Sequence, residues 1–504
     1  MQMKFKSNSL VKRLLFTGLI AVSASVDALE KPQTMEDMWK IIQAQQKQID
    51  DMKASMSTGE DKIQASKGQN PDNTDLAATE QKTETKVANS DVKNLERKTN
   101  ILSQEVEKLR TNLAIPEEKQ LKSAYGMGPA ASKVYQVDKG LSIGGYGEAF
   151  YQDVVSDQGK MNPDGTLQNP SNADLQRIVM YLGYKFTDNI LFNSEIEFEH
   201  GSTGEGDEEK GEVSVEFASL DFMIDPLVNV RAGLMLMPMG MINRIHEPLF
   251  FFGNHRPEVE RIIIPSTWRE MGVGAFGSIT PELTYTAYVV NGLNAEGFSS
   301  AGIREGRGGG SQALAENFGY VAGMDYTPGE LPGVTVGGSA YVGNSGQNQA
   351  FNGQKANVLT QIYESHVQWK YRGLEFRALG SWGFINDADI LSAANLAADN
   401  GQGVVGSQNY GWYSEVGYDV LPWLIKDTQQ YLAPFFRYEK LNTMAGTPAN
   451  EIYPNDPTLN QHIVQFGLQY KPISQVVIKA DYRNFSAASG DLPDDFNLGF
   501  GFIF

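Results

Sequence analysis

Along much of residues 141–504, charged side chains recur at every second position, the placement that sets them on one side of an extended chain. Read this way, Arg177, Lys185, Arg231, Arg377, Arg437, Lys479 and Arg483 share a water-facing side with Glu148, Glu195, Glu197, Glu199, Glu364, Glu415, Asp419, Glu439 and Asp481. Such a set suits transient pairing with charged solutes, because opposed charges across an aqueous space make a transverse field that orients a solute without holding it. Bond-making chemistry is poorly served. Cys is absent, which excludes thiol nucleophiles, disulfides and Cys-ligated zinc or iron–sulfur centres. The five His form neither a Ser/His/Asp set nor a recognised metal spacing, so no enzyme, no cofactor and no metal site is expected.

A second set lies in one unusual stretch, PMGMINRIHEPLFFFGNHRPEVERIIIPSTW, from Pro238 to Trp268. It is too apolar for a solvated loop and too charged for a lipid-facing strand, so it is expected to fold into protein or into an enclosed lumen. Its candidate residues are Arg244, His246, Glu247, His255, Arg256 and Arg261, with Glu258 and Glu260 beside them. Guanidinium forks can pair with phosphate or carboxylate and release them quickly when each contact is weak and shared. About half of these charges are expected only to tie the stretch to its surroundings, as buried charges must be paired.

The elements that would position both sets are strands. Ile190, Phe192, Ser194, Ile196 and Phe198 alternate with Leu191, Asn193, Glu195, Glu197 and Glu199, and Val476, Ile478, Ala480 and Tyr482 alternate with Val477, Lys479, Asp481 and Arg483. One side is apolar and the other charged, as in a strand between lipid and water. Period and turn signals give sixteen such segments: 141–151, 174–186, 190–200, 212–223, 228–237, 269–277, 283–291, 319–327, 334–343, 358–371, 374–383, 410–420, 431–440, 461–471, 475–484 and 496–504. Every second connection is short, for example Thr187-Asp188-Asn189, Arg372-Gly373 and Pro472-Ile473-Ser474, and the others are mostly long and polar. Short turns on one rim and long loops on the other mark an all-β transmembrane barrel of about sixteen antiparallel strands. The last segment puts Phe496, Leu498, Phe500, Phe502 and Phe504 on one face and ends the chain.

Ahead of the barrel the period changes. Lys4, Lys6, Lys12 and Arg13 precede an apolar run from Leu14 to Val22, and Val26-Asp27-Ala28 suits cleavage, so 1–28 reads as an export signal peptide. In 29–115, Met35, Met38, Ile42, Gln45, Ile49, Met52 and Met56 step by three and four, as do Val92, Leu95, Thr99, Leu102, Val106, Leu109 and Leu113. These are α-helical coiled-coil seams, joined by a polar linker near 57–89 and followed by a second linker over 116–140. The charge divides at the same place. Residues 1–140 hold 21 Lys+Arg and 19 Asp+Glu, whereas 141–504 hold 21 and 42, so the net charge of -19 belongs to the barrel and nucleic acid is no expected partner. The acidic run Glu205-Gly206-Asp207-Glu208-Glu209 falls in a long loop, where divalent ions could bridge it to lipopolysaccharide.

Several segments resemble the phosphate-selective porin O and P type family: GGYGEAF at 144–150, SEIEFEH at 194–200, VRAGLMLMPMGMIN at 230–243, HEPLFF at 246–251, IIPSTWREMGVG at 263–274, YVVNG at 288–292, WYSEVGYDV at 412–420 and the terminal LGFGFIF. The resemblance implies a sixteen-stranded, homotrimeric porin in the outer membrane of a Gram-negative bacterium, with loop three folded inside and passive transport as its activity. Together with the pore-wall arginines it leads to an expectation of weakly selective diffusion of small hydrophilic solutes, anions such as phosphate or small carboxylates among them. The alternative is a structural tether, in which the periplasmic coiled coil joins the outer membrane to peptidoglycan and the barrel is an anchor.

Overall fold

Alternation along the chain becomes closure in space. The computed structural model describes residues 122–155, 170–201, 211–426, 428–448, 453–490 and 492–504. Its barrel strands are β1 Gly140–Val154, β2 Asn172–Lys185, β3 Ile190–Glu199, β4 Val213–Asp225, β5 Val228–Leu236, β6 Arg269–Thr280, β7 Leu283–Asn291, β8 Phe318–Tyr326, β9 Val334–Asn344, β10 Leu359–Tyr371, β11 Leu374–Ile385, β12 Gln408–Tyr418, β13 Tyr431–Gly446, β14 Asn460–Ile473, β15 Val476–Ala487 and β16 Asp495–Ile503. Each pairs antiparallel with its neighbours in sequence, and β1 pairs with β16 from Tyr146↔Ile503 to Val154↔Asp495, which closes the sheet. At the seam Gly145 and Phe504 exchange backbone hydrogen bonds of 3.0 and 2.9 Å. Closure matters energetically because a sheet edge in hydrocarbon would leave backbone N–H and C=O groups without partners, at several kcal/mol each.

All sixteen expected segments are strands. The largest differences lie at the long-loop rim, where β13 runs to Gly446 rather than residue 440. The long loops also carry a helix, Ala388–Ala398, and a two-residue ladder of Ala350–Phe351 with Gln354–Lys355. Outward-facing side chains form the lipid belt: Ile178, Met180, Phe436, Phe466, Leu468, Ile478, Leu498 and Phe500 are exposed. Exposed aromatics flank it, with Tyr184, Phe186 and Trp369 toward the short-turn rim and Tyr363, Trp382 and Phe384 toward the other. Their amphipathic or bulky rings suit the two membrane interfaces.

The export signal at 1–28, the seams of 29–115 and the acidic run of 205–209 lie outside the described residues. The stretch expected as a linker over 116–140 is partly described, and from Lys122 onward it is not an open linker. It turns into the short-turn mouth of the barrel and forms a 3₁₀ turn, Ala131–Tyr135. The reason is an apolar side that a solvated linker would lack: Met127, Ala130 and Ala131 are buried against Tyr146, Val179, Tyr181 and Phe217 on the wall. The wall makes room with glycine, since a Cβ at Gly144 would come within 2.7 Å of the Ala130 carbonyl oxygen. Polar pairs complete the seat. Asn193 donates to the Ala131 carbonyl at 2.9 Å, and Tyr135 donates to Asp221 at 2.6 Å.

Candidate functional site

The connection between β5 and β6 crosses the barrel interior, as its apolar composition implies. Asn243 joins the two feet of this loop: its side-chain amide donates to the Met237 carbonyl at 2.8 Å, and its oxygen accepts from the Trp268 N–H at 2.5 Å. A first turn, Pro248–Phe250, packs on β1, β15 and β16. A second, Val259–Ile263, packs on β11, β12 and β13 across the lumen. Val259, Ile263 and Ile264 then share one buried cluster with Leu379, Tyr413, Leu441 and Ile463 of the wall. Burying each such side chain contributes about 1.5–3 kcal/mol. Phe252 stacks on Phe435 at 5.1 Å and occupies the space that a side chain at Gly417 would need, a Cβ there lying 2.3 Å from its ring.

Several of the charges expected on the pore wall hold this loop in place. Arg437, wholly buried, donates to Glu415 at 2.8 Å, to Gln465 at 2.6 Å, and to the Phe252 and His255 carbonyls at 2.6 and 3.2 Å. Arg377 shares Glu415 at 3.0 Å. Lys479 donates to the carbonyls of Phe251 and Gly253 at 3.0 and 2.8 Å, and Arg483 pairs with Asp495 at 2.5 Å and Glu258 at 3.2 Å. Arg231 pairs with Asp221 at 2.7 Å and donates to Tyr135 at 2.9 Å, which ties the wall to the short-turn plug. Glu195 and Glu197 are also buried, the first beside His246 and the second on Arg177 at 2.9 Å.

The loop candidates divide in the same way. Arg244 forks onto Asp325 of β8, and Asp325 is in turn 2.9 Å from His366. His246 lies between Glu195 and Glu216. Burial alone would lower its pKa, but the two carboxylates outweigh burial and raise it to about 10. Glu247 accepts the Ala130 N–H of the plug at 3.1 Å. His255 donates from Nε2 to the Asn497 side-chain oxygen at 3.1 Å, and burial together with the nearby Arg483 charge holds its pKa well below the usual imidazole value.

Three candidate arginines face open space. A chamber of about 330 Å³ lies between the loop and the long-loop mouth, with Arg177, Arg256 and Arg261 on its lining together with Glu199 and His255. Glu148, Glu258 and Arg304 complete its charged groups. Arg177 is shared between Glu148 and Glu197 at 2.9 Å each, and Arg261 pairs with Glu258 at 2.6 Å while staying half exposed. The buried Nε and Nη2 of Arg256 have no hydrogen-bond partner, whereas Arg177 Nε, also without a hydrogen bond, has Glu148 at 2.9 Å. Arg304 enters from the β7–β8 loop and donates to the Arg261 carbonyl at 3.0 Å and to that of Ser266. Burial first, then the like charges of Arg307, Arg261 and Arg256, lower the Arg304 pKa to about 9. The smaller contributions of Arg261 and Arg256 reflect like charges lying close together at the chamber, a repulsion that an entering anion would relieve.

Alternation missed Glu216 because β4 carries a bulge opposite Glu195 and Ile196, which turns both Glu216 and Phe217 inward. Asp325 had a signal, standing two residues from Gly323 and four from Val321 on the inward face of β8. Arg304 had none, as no period relates a long loop to the lumen.

A closed sixteen-strand barrel with an apolar outer belt and a loop packed across its interior is an all-β transmembrane barrel of the porin type. The chain is 38% identical over 383 residues to an uncharacterised protein of Aquifex aeolicus (strain VF5), covering 74% of this chain and 82% of that one, and it belongs to the same family. No family model matches it. Among solved structures, the outer-membrane channel DcaP of Acinetobacter baumannii is similar with a TM-score of 0.46 at 12% identity, over 72% of this chain and 97% of that one. OmpF of Salmonella typhi gives a TM-score of 0.46 at 12% identity over 73% and 98%, and an anion-selective porin from Comamonas acidovorans 0.44 at 8% over 72% and 99%. These likenesses are weak, and the fold rests on the strand ladders themselves.

Proposed function

We propose that this protein is an outer-membrane porin, a water-filled channel for passive and weakly selective diffusion of small hydrophilic solutes, with a preference for anions such as phosphate or small carboxylates. The observation that carries the reading is the chamber between the inward loop and the long-loop mouth, where Arg177, Arg256, Arg261 and Arg304 outnumber Glu148, Glu199 and Glu258. Arg256 lines the chamber, and its buried Nε and Nη2 donate to no protein group, so its charge is not neutralised by a hydrogen-bonded partner at those atoms. The acidic excess of the whole barrel argues against tight specificity, so selectivity is assigned to this local surplus of arginine and not to net charge. The resemblance of IIPSTWREMGVG and the other segments to the phosphate-selective porin O and P type family supports the anion preference and a homotrimer. The tether alternative depends on the seams of 29–115, outside the described residues.

Single-channel recording in a planar bilayer tests the reading. Stepwise ion conduction is expected, with a zero-current potential in a potassium chloride gradient that favours chloride. Absence of steps overturns the channel, and a potential favouring potassium overturns the anion preference.

A further inference from the structure

Where the first foot of the loop meets β3 and β4, His246 faces two carboxylates of the wall. Its Nε2 is 3.0 Å from Glu195 Oε1 and 3.2 Å from Glu216 Oε2. One ligating atom from each of the three residues lies within 4.8 Å of the other two, and none of the three side chains is more than 2% exposed. Two features set the group apart from the ion pairs that clamp the loop elsewhere. Glu195 Oε2 accepts no hydrogen bond, and Glu216 Oε2 has the imidazole alone as its partner, 3.2 Å away. Two buried carboxylates meeting one imidazole need positive charge among them, supplied either by a proton on His246 or by a bound cation.

The spacing has a chemical meaning. Donors about 2.0–2.2 Å from a common metal stand roughly 3–3.5 Å from one another, and the two nitrogen–oxygen separations measured here fall in that range. The surroundings orient the donors as a metal shell requires. Thr267 and Arg269 both donate to Glu216 Oε1, at 2.5 and 3.1 Å, which leaves Oε2 for another partner. Tyr146 lies 3.4 Å from Glu195 Oε1, and the Asn243 carbonyl lies 3.4 Å from His246 Nδ1, where a proton on Nδ1 would free the Nε2 lone pair. Calcium and magnesium want six or more oxygens, whereas one imidazole with two carboxylates matches the zinc class.

We propose that Glu195, Glu216 and His246 bind a divalent cation of the zinc class, which pins the first foot of the constriction loop to β3 and β4. The competing occupant is a proton on His246, so zinc has to displace it. The site is independent of whether the barrel conducts, because it acts on how the loop is held.

The test uses the untagged full-length protein, purified in detergent, stripped with chelator and dialysed against zinc chloride, with bound metal counted by mass spectrometry. About one zinc per chain is expected for the native sequence, falling at least about tenfold in His246→Ala and in Glu216→Gln. Heat-modifiable mobility on gels verifies that each variant barrel is folded, and Glu195→Gln, which keeps an acceptor for Tyr146, serves if either is not. A native protein that retains no zinc overturns the proposal whatever the variants do. Zinc retained equally by folded variants overturns it too, since the metal is then bound elsewhere.

Discussion

Two groups of arginines, one on the barrel wall and one around the chamber, lie inside one barrel and do different work. Beneath the loop, Arg377 and Arg437 are almost wholly buried, and between them they share Glu415 and two loop carbonyls. Around the chamber, Arg256 has donors without partners and Arg261 is half exposed. Residue type and charge treat the two groups alike. What separates them is coverage: where the loop lies over the wall, water is excluded, each charge must be paired, and the guanidinium becomes a structural clamp. Where it does not, pairing is partial and the charge stays available to a solute.

The clamp side should break most severely. Arg437→Ala removes four hydrogen bonds and leaves Glu415, Gln465 and two carbonyls short of a donor inside the protein. Removing one partner of a buried pair costs about 3–5 kcal/mol. A clear fall in the thermal midpoint of the detergent-solubilised barrel is expected, together with noisier single-channel current as the loop loosens. An unchanged midpoint would put the stability of the loop in its apolar contacts alone.

Next in size is a dependence on pH carried by the loop itself. Glu260 is fully buried; burial raises its pKa, hydrogen bonds from Tyr413 and the Ile242 N–H oppose the rise, and the result is about 6. A raised carboxyl pKa means that the folded state holds the proton more tightly than the unfolded chain. The associated stability is therefore present below about pH 4.5 and lost as pH rises through about 6, with a ceiling of about 2 kcal/mol. Glu260→Gln should flatten that part of the curve of thermal midpoint against pH.

On the chamber side the effect is on selectivity. Arg256→Glu reverses a charge that no protein group neutralises by hydrogen bonding. The chloride-to-potassium permeability ratio should fall several-fold, equivalent to about 1 kcal/mol, with little movement of the thermal midpoint. The opposite pattern, lost stability with unchanged selectivity, would move Arg256 into the clamp group.

Much of this architecture was legible in the sequence, for physical reasons that also explain the gaps. A lipid-facing belt forces period two, so all sixteen strands could be read. An apolar, charged stretch between two strands has nowhere to go but inward, so Pro238–Trp268 was recognised. The apolar contact between the loop and part of the inner wall is less legible, although inward-facing Val290, Val321, Ile362 and Leu379 hint at it, since a wholly wet wall would carry polar groups there. Coverage is a long-range property: the loop's Val259 accounts for residues on β11–β13 far along the chain. In sequence the plug at 122–139 looks like part of a linker, because its short apolar set, Met127, Ala130 and Ala131, has no period of its own and finds its partners only on the wall. Glu216 was hidden by a bulge, the one local device that alternation cannot follow.

The smallest effect is expected at Arg261. Arg261 and Glu258 form a 2.6 Å pair three residues apart on the loop turn, as well formed by distance as the clamps beneath it. Distance alone would give Arg261→Ala a cost like that of Arg437→Ala. Coverage gives a different answer, because the Arg261 side chain is 48% exposed and solvent screens the pair, so its contribution to stability is about 0–1 kcal/mol. The variant should leave the thermal midpoint within a degree or two of the native value and lower the chloride preference only modestly, since Arg177, Arg256 and Arg304 remain on the chamber wall. A loss of stability approaching that of Arg437→Ala would show that pairing geometry, not exclusion of water, decides which charges hold the loop.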